Sequence, residues 1–169
     1  MTYKLVYYGN RTLRQVAEEV VNIDQKISDL IDSMYNIMYA GSGIGLAAPQ
    51  VDVSKKIITL NLQMYNGPSL ALINPIIIGN SEEIEPYEEG CLSIPGIRKE
   101  IYRPSKISVK GLTLDEKEVQ IDADGLLARV LQHEIDHLNG IFFTDHLEDY
   151  LRKELTSQLK KIKKLNHAS

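Results

Sequence analysis

The sequence predicts an α+β fold: mixed or antiparallel β-sheets around a central helix that carries His133-Glu134-Ile135-Asp136-His137, with an amino-terminal helix before it and a carboxy-terminal amphipathic helix after it. Three observations carry this. Apolar residues recur at helical spacing near the start, β-branched runs broken by Asn, Gly, Pro and Asp fill the middle, and two leucine-rich periodic segments close the chain. At 169 residues, 43% hydrophobic and 25% charged, the chain is long enough to enclose a core and reads as one domain over 1–169.

Between Asn22 and Tyr39, Ile23, Ile27, Leu30, Ile31, Met34, Ile37 and Met38 line one face of a first helix, which Ala40-Gly41-Ser42-Gly43 ends. Gly43-Ile44-Gly45-Leu46-Ala47-Ala48-Pro49-Gln50 reads as a close-packed loop. Strands are expected around Ile57 to Leu62, Leu70 to Ile78, Ile107 to Leu112 and Val119 to Ile121. A second helix, capped by Asp122 or Asp124, should run from Leu126 to Leu138 and stop at Gly140. The third should cover about Leu147 to Leu165, with Leu147, Leu151, Leu155, Leu159 and Ile162 on one side.

Charge narrows the function classes. A net charge of −4 argues against a DNA-binding protein, because that affinity rests on clustered Lys and Arg. No long apolar run or signal-like start appears, so neither a membrane partner nor export is expected and the predicted location is cytoplasmic. The lone cysteine, Cys91, has no intramolecular disulfide partner and is a packing group, a nucleophile or a metal ligand.

The pentapeptide at 133–137 is an HExxH motif inside a segment already read as helix. Four residues along a helix return after roughly 40° and about 6 Å of rise, so His133 and His137 share a side and can grip one cation. Glu134 is displaced around the helix, near enough to take a proton from water on that cation, and Asp136 can orient a ligand from behind. A chance match is the bland alternative. It would hide two imidazoles and two carboxylates among apolar neighbours at a desolvation cost. The third ligand is open at this point: His146, Glu154 and Cys91 are candidates, while Phe143 occupies the position a metzincin gives to histidine. Cys91, preceded by Gly90, supplies the strongest donor, though a buried packing thiol or a Cys–His nucleophile also accounts for it. Gln50 can donate to an oxyanion.

GIGLAAPQ at 43–50, EGCLS at 89–93 and HEIDH at 133–137, in this order, closely resemble the three signature motifs of the peptide deformylases, in their compact bacterial form. The likeness also takes in Leu13-Arg14 with Ala17 and Val20, and the terminal helix. The resemblance implies that Cys91, His133 and His137 bind a metal, ferrous iron physiologically, with zinc, nickel or cobalt able to replace it. It implies Glu134 as general acid/base, and Gln50 with the Leu92 backbone N–H as oxyanion donors. Glu89 and Arg103 resemble a supporting ion pair, with Arg98 near the site. Gly43 and Gly45 lie in the segment that holds an extended peptide, and Ile44, Tyr87, Leu126, Arg129, Val130 and His133 fall where relatives line a methionine pocket. Arg129 and Tyr87 depart from the usual apolar pattern there, and Arg129 is expected to bury its stem while its charged end reaches water.

The function so implied is a metallohydrolase that removes the formyl group from N-formyl-methionyl nascent peptides and releases formate. An HExxH endopeptidase using His146 or Glu154, and a metal-stabilised peptide-binding module, are the rival readings. Lys160, Lys161, Lys163 and Lys164 give a basic helix end that the resemblance links to the ribosome; a solvated end favouring the helix dipole is the preferred reading. His167 is assigned no role.

Overall fold

The protein is described here by a computed structural model, which covers residues 2–167. Its first helix, α1 (Gln25–Ala40), starts where Asp24 accepts a hydrogen bond from the Ile27 N–H. A five-stranded antiparallel sheet follows, in the order β1 (Gly45–Ala47), β2 (Ile57–Leu60), β3 (Leu70–Asn80), β6 (Lys106–Leu112), β7 (Glu118–Asp124). Between β3 and β6 in sequence, β4 (Ile84–Cys91) and β5 (Ile94–Pro104) form a separate two-stranded hairpin.

All four residues of β2 are buried because both of its faces are covered. Ile57 packs with Leu30, Ile31, Met34 and Met38 of α1. Ile58 and Leu60 pack with Ala128, Leu131 and Ile135 of α2 (Gly125–Leu138) on the other side. The helix α2 therefore lies between the large sheet and the hairpin, the central position expected for the HExxH segment. Its last turn ends at Asn139, and Gly140 follows with φ +73°, the left-handed stop that a glycine supplies.

Several expectations need correction. Gly45–Ala47 is the edge strand β1, not loop, and a 3₁₀ turn at Ala48–Val51 follows it. The hairpin β4–β5 occupies a stretch where the sequence pattern predicts no strand. Asp124 occupies the N-cap position of α2 but its side chain makes no capping bond, while the Asp122 carboxylate accepts from Ser108 Oγ. The terminal helix is divided into α3 (Asp149–Glu154) and α4 (Thr156–Lys163), flanked by 3₁₀ turns at Phe143–His146 and Lys164–His167. At the break, the Leu155 N–H donates to Arg152 three residues back, a tightened step. That step lets both Leu155 and Ile162 reach the hairpin core of Ile94, Ile97 and Ile101. No helix among the described residues is long and apolar enough to cross a membrane.

Candidate metal centre and active-site cleft

The side of α2 that faces away from the large sheet carries Arg129, His133 and His137, each four residues apart. Opposite them the hairpin brings Cys91 to the end of β4, where a register irregularity between Glu89 and Cys91 bends the strand at Gly90. Donor atoms of Cys91, His133 and His137 all lie within 4.8 Å of one another, with Cys91 Sγ 3.4 Å from His137 Nε2. His146 instead meets Asp136 at 2.8 Å, and Glu154 is exposed on α3, so neither joins this cluster.

On the His133 side of the cluster the polar groups are tied. His133 Nδ1 lies 2.9 Å from Glu89 Oε1, which fixes the ring and leaves its other nitrogen for the cluster. The Arg103 guanidinium donates to both oxygens of Glu89 at 2.7 and 3.0 Å, and Arg129 donates to Glu89 at 3.0 Å. Burial opposes charge on Glu89, yet hydrogen bonds from His133 and Arg103 win and hold its carboxyl at about 2. Arg129 also donates to the carbonyls of Ile101 and Glu85 and is only 5% exposed. Its charged end therefore does not reach water, because Glu89 neutralises it inside the protein. Asp136 likewise does not touch either imidazole. It accepts from Arg103 Nη1 at 2.7 Å, which links it to Glu89 and so to His133.

Glu134 is buried against Gly45, where a Cβ would come 2.7 Å from its Oε2. Burial pushes its carboxyl up to about 7, and its Oε1 has no hydrogen-bond partner. Burial also drives His137 well below the ordinary histidine range, whereas on His133 the same burial is outweighed by hydrogen bonds to Cys91 and Glu89, which hold it well above. Gln50, 1% exposed, accepts from the Ala47 N–H at 2.9 Å through Oε1. That bond turns its Nε2 towards Cys91 Sγ at 3.5 Å and Ser93 Oγ at 3.2 Å.

A cleft of about 470 Å³ opens over these groups. Ile44, Leu126 and Val130 line one part, Tyr87 stands at its rim with the Arg129 guanidinium 5.7 Å from its ring centre, and Arg98 lies across Gly90. Arg98 pairs loosely with Glu88 at 3.7 Å. Gly41 and Gly43 leave room for the Leu92 side chain, which a Cβ at either would approach to about 3 Å, so the turn carrying the Leu92 N–H is seated against them. Several supports escaped sequence reasoning. Ser93 bridges Gln50 to the Val6 carbonyl, and the Phe142 and Phe143 rings pack on His137 and His133 at 5.8 and 5.9 Å. The adjacent phenylalanines just after the HExxH helix were the available signal, since aromatic rings that close to ligands limit their motion.

A cation fits this arrangement. Two imidazoles and a thiolate form a catalytic-type donor set beside an open cleft, and the buried Glu134 Oε1 next to them has no hydrogen-bond partner within the protein.

Residues 2–153 match the family model described as polypeptide deformylase. A peptide deformylase of Brachyspira hyodysenteriae is 43% identical over 168 residues, covering 96% of this chain and 90% of that protein. The crystal structure of a Synechococcus elongatus peptide deformylase in complex with actinonin is 43% identical with TM-score 0.87, covering 94% of this chain and 86% of that one. One from Legionella pneumophila is 36% identical with TM-score 0.90, covering 100% and 99%. Agreement of this extent in sequence and in fold, over the elements that build the cleft, means that the chain belongs to the polypeptide deformylase family.

Proposed function

We propose that this protein is a single-domain metal-dependent hydrolase that removes the formyl group from the N-terminal formylmethionine of newly synthesised polypeptides and releases formate. The observation that carries this is the convergence of the segments 43–50, 89–93 and 133–137 at one cleft, lined by Cys91 and His133, with the His137 donor atom within 4.8 Å of theirs and buried Glu134 beside them. Those three donors hold the cation, which we assign as ferrous iron, replaceable by zinc, nickel or cobalt. When bound, it supplies Lewis-acid polarisation of the formyl carbonyl and makes water nucleophilic near neutral pH.

The chain's own groups do the rest. Gly45, with Gly43 and Ile44 ahead of it, offers the free edge of β1 to an extended peptide, and Ile44, Tyr87, Leu126 and Val130 border the space for the first side chain. Arg129 supports that wall from beneath Tyr87. Gln50 Nε2 and the Leu92 N–H donate to the carbonyl oxygen as it becomes negative. Glu134, with a carboxyl near neutrality, takes a proton from the attacking water and delivers it to the departing amine as the formyl C–N bond breaks. Glu89 and Arg103 hold His133 in place, and Arg98 borders the entrance.

Formyl-methionyl peptides should release stoichiometric formate, while the same peptides without the formyl group remain uncut; internal cleavage of both would favour the endopeptidase reading instead. Glu134→Gln should lower formate release by at least about 10²-fold with metal content retained. Cys91→Ser should weaken metal retention, measured by dialysis against a chelator and elemental analysis. Acting on newly synthesised polypeptides requires access to nascent chains, and this reading places the protein in the cytoplasm. The exposed Lys161 and Lys164 are a solvated helix end in this reading.

A further inference from the structure

A second cavity, also of about 470 Å³, lies apart from the cleft, between the amino-terminal segment and the α3–α4 pair. Arg14, Arg152, Lys153, Lys160 and Lys163 line it, opposed by only two carboxylates, Asp145 and Asp149. Both acids are already engaged. Asp145 takes two bonds from Arg14 and one from the Phe142 N–H, and Asp149 pairs with Arg152. Lys153, Lys160 and Lys163 have no ion-pair partner among the described residues. The cavity thus carries a net +3 on a chain whose total is −4, and its exposed Lys153, Lys160 and Lys163 concentrate positive potential that attracts an anion.

Its walls are built, not draped. Asn166 donates to the carbonyls of Tyr7 and Tyr8 and accepts from the Tyr7 N–H at 2.8 Å, which locks the chain's end to the segment bearing Tyr8. Lys163 lays its stem over Gly9, where a Cβ would collide with it, and this packing limits the freedom of the side chain. Thr156, Lys160 and Lys163 share one face of α4 and line the cavity together with Arg14. The partly exposed Tyr8 and Leu159 add an apolar side suited to a ring.

We propose that this cavity is a binding site for a small, multiply phosphorylated organic anion, with Lys153, Lys160 and Lys163 as its phosphate contacts. The site is independent of the formyl-hydrolysing cleft, so its test reads binding and not formate. Isothermal titration of the metal-loaded full chain uses adenosine 3′,5′-bisphosphate, a weak chelator, beside 5′-AMP and adenosine at fixed ionic strength. Expected is one site per chain, weaker by at least about tenfold for 5′-AMP and absent for adenosine. Lys160→Gln with Lys163→Gln should weaken the bisphosphate at least about tenfold, while Lys26→Gln with Lys117→Gln, far from the cavity, should leave it unchanged. Thermal melting and formate release of the variants, both expected near wild type, establish that they fold. Equal binding of adenosine, unchanged affinity in the cavity variant, or tighter binding of a ten-nucleotide RNA than of the bisphosphate would each overturn the assignment, the last by making the lysines part of an extended nucleic-acid surface.

Discussion

Glu89 is the residue on which the site's charge balance turns. One carboxylate, 5% exposed, answers Arg103, Arg129 and His133 together. Its carboxyl sits at about 2 against an ordinary 4.5, so the folded state favours the ionised form. The resulting stabilisation is complete above pH about 4.5 and is lost as pH falls towards 2, an effect on the order of 3 kcal/mol. In chelator-stripped protein, Glu89→Gln should be less stable at pH 7 and show a shallower loss of denaturation midpoint between pH 4.5 and 2. An unchanged acid profile would remove Glu89 from this role. The sequence suggested the Glu89–Arg103 pair through its resemblance, but nothing local announced that Arg129, one turn before His133, would also end on this carboxylate. Side chains from β4, β5 and α2 meet there, and no periodicity encodes a meeting of three elements.

Among the elements, two glycines decide how closely segments approach. At Gly45 on β1 a methyl group would lie 2.7 Å from Glu134 Oε2 and 2.8 Å from Val130 Cγ1. Gly45→Ala should therefore displace Glu134 or the strand edge, cutting kcat/KM by at least about tenfold while metal content stays constant. At Gly140 the obstacle is backbone: a Cβ would stand 2.6 Å from the Arg14 carbonyl oxygen, and φ is +73°. Gly140→Ala should cost roughly 1–3 kcal/mol in denaturant unfolding. The HExxH helix and its glycine stop were legible because 3.6-residue periodicity is a local property. The hairpin was not, since β4 and β5 carry Pro86, Pro95 and Pro104 and bury only scattered positions such as Ile94, Ile97 and Ile101. That irregular burial follows from a hairpin that packs on α2 and the terminal helices by parts of one face.

Across the molecule as a whole, two segments far apart in sequence are tied together. Asn166 binds the backbone of Tyr7 and Tyr8 across 159 and 158 residues, and Val6 bonds in turn to Gln50 and Ser93, beside the cleft. Asn166→Ala removes bonds to two carbonyls and one N–H and should cost about 2 kcal/mol, lowering the melting temperature by roughly 4–8 °C, with formate release at 25 °C little changed. Coincident loss of both activity and metal would mean that this tie also sets the cleft.

By itself the sequence determined the helix that carries the histidines, the core strands, and, through three motifs in order, the family and its expected chemistry. These are properties of spacing and of short segments. Only the tertiary structure decided that the thiol from the hairpin meets both imidazoles while His146 turns to Asp136 and Glu154 faces solvent, that Arg129 is neutralised inside the protein, and that the final helix breaks at Leu155. Those outcomes depend on which distant groups compete for the same buried partner, and that competition is settled only when the layers pack.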